Sequence, residues 1–115
     1  PQRLLVKMLG REFLINVRDV EWLEASGNYV NLRVGQRSYP FRGTMAGIEQ
    51  RLDPNHFARV HRGFIVNLDQ VSEIEPLDTG DARILMRCGA RLPLSRRYRS
   101  VLKDRLGANG TATRN

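Results

Sequence analysis

Residues 57–71, FARVHRGFIVNLDQV, constrain the fold more than any other stretch, because they demand two strands of different burial joined by almost no chain. Phe57 and Arg59 alternate with Ala58 and Val60, the period-two pattern of a half-buried strand. The alternation stops at His61, Arg62 and Gly63, two long polar side chains and a residue without a Cβ, which predicts a tight turn or bulge. Phe64, Ile65 and Val66 resume as an apolar run that Asn67, Leu68 and Asp69 close. Two buried strands so placed present His61 and Arg62 at one rim.

The remaining chain repeats the theme of short runs and short turns. Leu4–Met8 and Glu12–Val17 flank Gly10-Arg11 and predict a β-hairpin, with Phe13, Ile15 and Val17 on one face. Val20–Ala25 leads through Ser26-Gly27-Asn28 into Val30–Val34, and Gly35-Gln36 turns the chain towards Ser38–Phe41. A helix is expected over Thr44–Leu52, with Thr44 as N-cap, Met45, Ile48 and Leu52 on one face, and Asp53-Pro54 as its end. Strands at Ser72–Pro76, Ala82–Cys88 and Arg91–Leu94 follow. Pro93 lacks an N–H, so the last of these belongs at a sheet edge. Ser95 reads as the N-cap of a second helix with Tyr98, Val101, Leu102 and Leu106 on one face, stopped by Gly107. The small, polar residues 108–115 are expected to be a disordered tail, leaving one domain over residues 1–107.

No helix-turn-helix fits, because no second helix follows the first at three or four residues. Nor does enzyme chemistry. There is no nucleophile elbow, phosphate-binding glycine loop or metal-ligand spacing, and the expectation is no enzyme, no cofactor and no metal. His61 with a carboxylate such as Glu24 could in principle form a hydrolytic site, but nothing selects it, and Cys88 reads as a core filler within its strand. The lone cysteine and the absence of a signal peptide or an apolar run of about 18 residues point to the cytoplasm and to no membrane contact.

Charge points to nucleic acid. The formal net charge is +7, and of the 19 basic residues all but Lys7 and Lys103 are arginine, whose guanidinium fork suits phosphates and guanine edges. Arg87, Arg91, Arg96, Arg97, Arg99, Lys103 and Arg105 stand against Asp104 alone, whereas Asp69, Glu73, Glu75, Asp78 and Asp81 fall in a stretch without a base. One pole is expected to attract polyanions and the other to repel them. Arg96 and Arg97 at the start of a helix oppose its dipole. A DNA phosphate would compensate them; the alternative is that they are solvated or pair with an acid elsewhere in the fold.

Three loops carry polar residues with reach: Asn28 and Tyr29, which suit adenine and phosphate; His61 and Arg62; and Ser95, Arg96, Arg97 and Arg99. Each has a plain structural alternative, SGN as ordinary turn chemistry and His61 as a buried structural histidine among them.

Several motifs in order, DVEWLEA (Asp19–Ala25), SGNYV (Ser26–Val30), RGTM before a Leu-Asp-Pro break, FARVHRGFIVNLDQV and LPLSRRYRSVL (Leu92–Leu102), resemble the LytTR DNA-binding domains of bacterial response regulators. The resemblance implies a mainly β fold: an elongated β-β-β arrangement of about ten antiparallel strands in three small sheets, with one or two short helices. It also implies loops that enter successive major grooves of direct-repeat promoter sites, with a homodimer possible on the DNA. Matched by position, Asn28 and Tyr29 fall in the first contact loop, His61 and Arg62 in the second, and Ser95, Arg96, Arg97 and Arg99 in the third. Val30 is apolar where some members place a polar base-reading residue, which shifts that role to Asn28 or Tyr29. A chain opening on Pro1 rather than Met suggests an output domain whose N-terminal receiver or sensor domain is missing. The expected function is sequence-specific binding of double-stranded DNA for transcription regulation. The alternatives are a nonspecific RNA or single-stranded DNA binder, and a protein-interaction domain using the acidic 69–81 face.

Overall fold

The computed structural model describes residues 2–107; the expected tail lies outside the described residues. Ten strands form three antiparallel sheets. Strands β1 (Arg3–Met8) and β2 (Arg11–Asn16) make a hairpin. Strands β3 (Trp22–Ser26), β4 (Tyr29–Val34), β5 (Arg37–Arg42), β6 (Phe57–His61) and β7 (Phe64–Asn67) form a five-stranded sheet in the order β5-β4-β3-β7-β6. Strands β8 (Val71–Pro76), β9 (Ala82–Met86) and β10 (Arg91–Leu94) form the third sheet, with β10 and its Pro93 at an edge as expected. Helices α1 (Met45–Glu49) and α2 (Arg96–Leu106) are the two α-helices of the described residues, which extend over 54 × 29 × 25 Å.

The five-stranded sheet is the middle layer, and period-two alternation feeds two separate cores. Leu23, Val30, Leu32, Phe57 and Ile65 meet the β1–β2 hairpin and α1 on one face. Trp22, Ala58, Val60 and Val66 meet the third sheet and Leu102 of α2 on the other. Burial on both faces is why the Phe64–Val66 run is apolar throughout.

Two short 3-10 turns, Val17–Asp19 and Leu68–Gln70, lead out of β2 and β7, each entered through an asparagine. Asn67 ties them together. It is 3% exposed; its Nδ2 donates to the carbonyls of Arg18 (3.3 Å) and Val20 (3.0 Å), and its Oδ1 accepts from the Asp69 N–H (3.0 Å).

The first helix is shorter than the expected Thr44–Leu52. Thr44 caps it, accepting from the Gly47 N–H at 3.0 Å, but after Glu49 the bonds tighten to i→i+3, from Arg51 N–H to Ile48 and from Leu52 N–H to Glu49. Met45, Ile48 and Leu52 are still all buried, because a tightened last turn keeps them on one side. Cys88 is a clear correction: β9 ends at Met86, and Cys88 is exposed in the following turn rather than packed in a strand. The first hairpin turns on Leu9-Gly10 rather than Gly10-Arg11, with Leu9 at φ 55 and 88% exposed.

Candidate nucleic-acid interface

Strand register gathers the three loops at one end of the middle sheet. Ser26 lies opposite Tyr29, Tyr29 opposite Arg42, Glu24 opposite Phe64 and Phe64 opposite His61. The β3–β4 turn, the end of β5 and the β6–β7 turn therefore share a rim. Backbone hydrogen bonds fasten them: Gly43 N–H to Asn28 O (3.2 Å), Ala25 N–H to Gly63 O (2.9 Å), and Ser95 N–H to Val60 O (2.9 Å), which brings in the start of α2.

In the first loop Asn28 is exposed and Tyr29 is 40% exposed. Arg42, which the sequence reading missed because it ended that strand at Phe41, places its guanidinium 5.7 Å from the Tyr29 ring and 3.5 Å from the phenol oxygen. Val30 is buried in the core, so it offers nothing to a ligand.

In the second loop a register shift between Arg59 and His61 bulges β6 just before the turn. His61 is half-buried, its ring edge-on to Phe64 at 5.7 Å. Its Nδ1 accepts from the Gly63 N–H at 3.0 Å, which leaves Nε2 as the donor. Arg62 is exposed. Arg59, a second missed residue, holds this turn from beneath: Nε donates to His61 O (3.3 Å), Nη2 donates to Arg62 O, and Nη1 meets Glu49 at 3.4 Å. Its guanidinium also lies 5.8 Å from the Tyr98 ring, so one side chain touches the second loop, α1 and α2. The only signal in the sequence was a charge in a strand otherwise destined for burial.

The third loop differs most from expectation. Ser95 occupies the N-cap position of α2, but its hydroxyl makes no capping bond; the Arg96 N–H instead donates to Asp81 at 3.3 Å. The Arg96 guanidinium pairs with the same carboxylate at 3.8 Å and donates to Thr79 O at 2.9 Å. Asp81 thereby offsets the unfavourable helix-dipole position of Arg96, the acid elsewhere in the fold that the sequence offered as the alternative to a phosphate. Arg97 is exposed, 5.7 Å from the Tyr98 ring. Two residues on, about 200° around the helix, Arg99 faces away and lines a groove with Ile74, Leu94 and Leu102, its Nε buried and unpartnered. Asn28, Tyr29, His61, Arg62, Ser95 and Arg97 thus share the rim, whereas Arg96 is engaged internally and Arg99 is set apart.

The acidic stretch is not the bare pole that the sequence suggested. Asp69 meets His56 at 3.1 Å, Glu75 meets Arg83 at 3.4 Å, and Asp81 is held by Arg96. Among the described residues no three His, Cys, Asp or Glu side chains are placed to hold a metal, and no helix is long and apolar enough to cross a membrane.

A rim of cationic and amide side chains on a hydrogen-bonded β scaffold suits a polyanion. Residues 10–107 match the family model of the LytTr DNA-binding domain. The sensory transduction protein LytT of Bacillus subtilis is 31% identical over 106 residues, covering 91% of this chain and 44% of that protein. A response regulatory protein of Yersinia pestis is 37% identical over 100 residues, and the transcriptional regulatory protein BtsR of Escherichia coli 33% over 100; each alignment covers 85% of this chain and 40% of the relative. The chain therefore spans less than half the length of these relatives. A LytTr DNA-binding domain from Bacillus cereus superposes with a TM-score of 0.85 at 24% identity, covering 93% of this chain and 98% of that one, which shows a shared fold. By its sequence over nearly its whole length, and by a three-sheet fold in keeping with it, this chain belongs to the LytTR family of DNA-binding domains.

Proposed function

We propose that the domain recognises a specific double-stranded DNA sequence with the rim formed by Asn28, Tyr29, His61, Arg62, Ser95 and Arg97, joined by Arg42, and performs no chemistry on it. The observation that carries this reading is the set of backbone hydrogen bonds from Gly43 to Asn28, Ala25 to Gly63 and Ser95 to Val60, which fix three loops relative to one another before any ligand arrives. Pre-set loops give up little conformational entropy on binding, and base readout requires that economy. The long dimension of 54 Å exceeds the 34–36 Å or so of one DNA turn, enough to reach beyond a single groove. Arg and Asn supply bidentate donors for guanine and adenine, and Ser95, Tyr29 and the His61 Nε2–H supply phosphate contacts.

The relatives named as a response regulatory protein and a transcriptional regulatory protein are more than twice as long as the matched region. In this reading the chain is the output half of such a cytoplasmic regulator, with a receiver or sensor domain preceding it and two copies acting on direct repeats. No feature of the acidic face favours the protein-interaction alternative, since three of its five carboxylates already have partners within the fold.

Selection of bound duplexes from a random pool tests the reading. An enriched motif bound ~10³-fold or more above a scrambled duplex is expected. Arg97→Ala should lower affinity for the enriched motif by about 1–3 kcal/mol if it reads a base, and should weaken both duplexes alike if it meets only phosphate. Equal binding of all duplexes by the unaltered protein would overturn specific recognition.

A further inference from the structure

We propose a second binding element beside the recognition rim: a seat for the sugar-phosphate backbone of flanking DNA, built on the open face of β9 and β10. It rests on the DNA-binding reading and extends it to residues outside the three loops. A cleft of about 420 Å³ is lined by His61, Asp81, Arg83, Arg91, Pro93 and Ser95 among others. Two of these, His61 and Ser95, belong to the rim, so the cleft opens directly onto the interface.

Register explains why its cations lie together. Arg91 pairs with Leu85 and Pro93 with Arg83, so Arg91, Pro93, Leu85 and Arg83 share one face while Leu92, Ile84 and Leu94 turn into the core. Arg83 and Arg91 are diagonal neighbours on that face, about 7 Å apart and close enough to bracket one phosphate or two successive ones. Arg83 is half-exposed and held by Glu75 at 3.4 Å, which orients it; Arg91 is exposed and makes no ion pair among the described residues. The single carboxylate in the cleft, Asp81, is occupied by Arg96. What remains is a concave surface on which the unpaired Arg91 guanidinium and the Glu75-oriented Arg83 lie beside a serine hydroxyl. No Phe, Tyr or Trp lines it, and the one ring present, that of His61, is edge-on to Phe64, so the ligand its guanidinium groups and serine hydroxyl fit is a phosphodiester.

The test uses the whole chain and a duplex that it enriches from a random pool, in a minimal form and in a form lengthened by about ten base pairs at each end. The unaltered protein should bind the longer duplex more tightly. Arg91→Ala should remove most of that gain, reduce the dependence of log affinity on log salt by about 0.9, and cost about eight-fold in affinity at 0.1 M salt on the long duplex, equally for enriched and scrambled sequences. Arg83→Ala should do the same, and the double substitution should lower the salt dependence by nearly two contacts.

An unchanged salt dependence in both variants overturns the seat, as does a loss confined to the enriched sequence, which would make Arg91 a base reader. An equal loss on minimal and long duplexes overturns the flanking location. If the unaltered protein shows no sequence preference, the specific-recognition reading fails, while the loss of salt dependence in Arg91→Ala still decides whether the cleft holds phosphate.

Discussion

Replacing Arg59 with glutamine tests whether the second loop is held ready for DNA or merely happens to lie near it. The side chain donates to the carbonyls of His61 and Arg62, pairs with Glu49, and lies 5.8 Å from the ring of Tyr98. Each lost hydrogen bond to an accessible carbonyl costs about 0.5–1.5 kcal/mol. The ion pair adds under ~1 kcal/mol, since Glu49 is 45% exposed, and the ring contact adds about 0.5–1. These contributions overlap because one side chain makes them all, so a total near 2 kcal/mol of folding stability is expected, read from a urea titration. The effect on DNA binding should be more selective. Freed from beneath, the His61–Arg62 turn must be ordered when DNA binds, and about ten-fold in affinity for the enriched duplex is expected, with no more than the loss of one distant charge on a scrambled duplex. In a background where His61 and Arg62 are already alanine, Arg59→Gln should have little left to remove. Fluorescence anisotropy on both duplexes, well below the melting temperature, measures all four corners of that cycle. Equal losses on the two duplexes, or a loss that persists undiminished in the alanine background, would refute the positioning role.

Other expectations follow from single contacts. Asn67→Leu strands the buried carbonyl of Val20 and removes the partly buried bonds to the Arg18 carbonyl and the Asp69 N–H, and should destabilise the domain by about 2–3 kcal/mol in a denaturant titration. Leu9→Asn should stabilise it by roughly 1 kcal/mol, because Asn tolerates the left-handed backbone that Leu9 adopts at φ 55 and the exposed leucine buries little; a lower melting temperature would contradict this. Arg105→Lys keeps the charge but loses the donor geometry towards Phe57 O at 2.8 Å, and should cost about 1 kcal/mol of stability with DNA affinity nearly unchanged.

The architecture was legible because it rests on patterns that local chemistry writes into the chain. Alternation at Phe57–Val60 and its break at His61 gave two strands, a turn and a bulge, and Pro93 marked an edge. What the sequence could not reveal depends on neighbours distant along the chain. Asp81 caps α2 although it lies fourteen positions before the expected cap, Ser95, and nothing in SRRYR announces that partner. Helix length failed for a similar reason: Met45, Ile48 and Leu52 are buried as a helix would have them, but a 3-10 ending satisfies the same spacing. Cys88 was misplaced because an apolar run was carried two residues past the point where pairing with the neighbouring strands ends.

The arginine bias has two causes, of which the sequence exposed one. Arg33, Arg59, Arg87, Arg96 and Arg105 each donate to backbone carbonyls, those of Gly35, of His61 and Arg62, of Asp69, of Thr79 and of Phe57. A layered stack of short strands leaves many carbonyls at strand ends and turns without a ladder partner, and they must be satisfied. A guanidinium reaches them with several fixed donors while its charged edge stays in water, which a lysine ammonium does less well. Arginine at such places is therefore a fastening of the fold, whatever ligand the fold serves. Arg62 and Arg97 on the proposed rim, and Arg91 beside it, are among the arginines whose guanidinium groups have no carbonyl or carboxylate to hold among the described residues, and so are available to a ligand. On the proposed reading net charge draws the polyanion to the whole surface, while the arginines not committed to holding the fold are the ones free to reorient onto it.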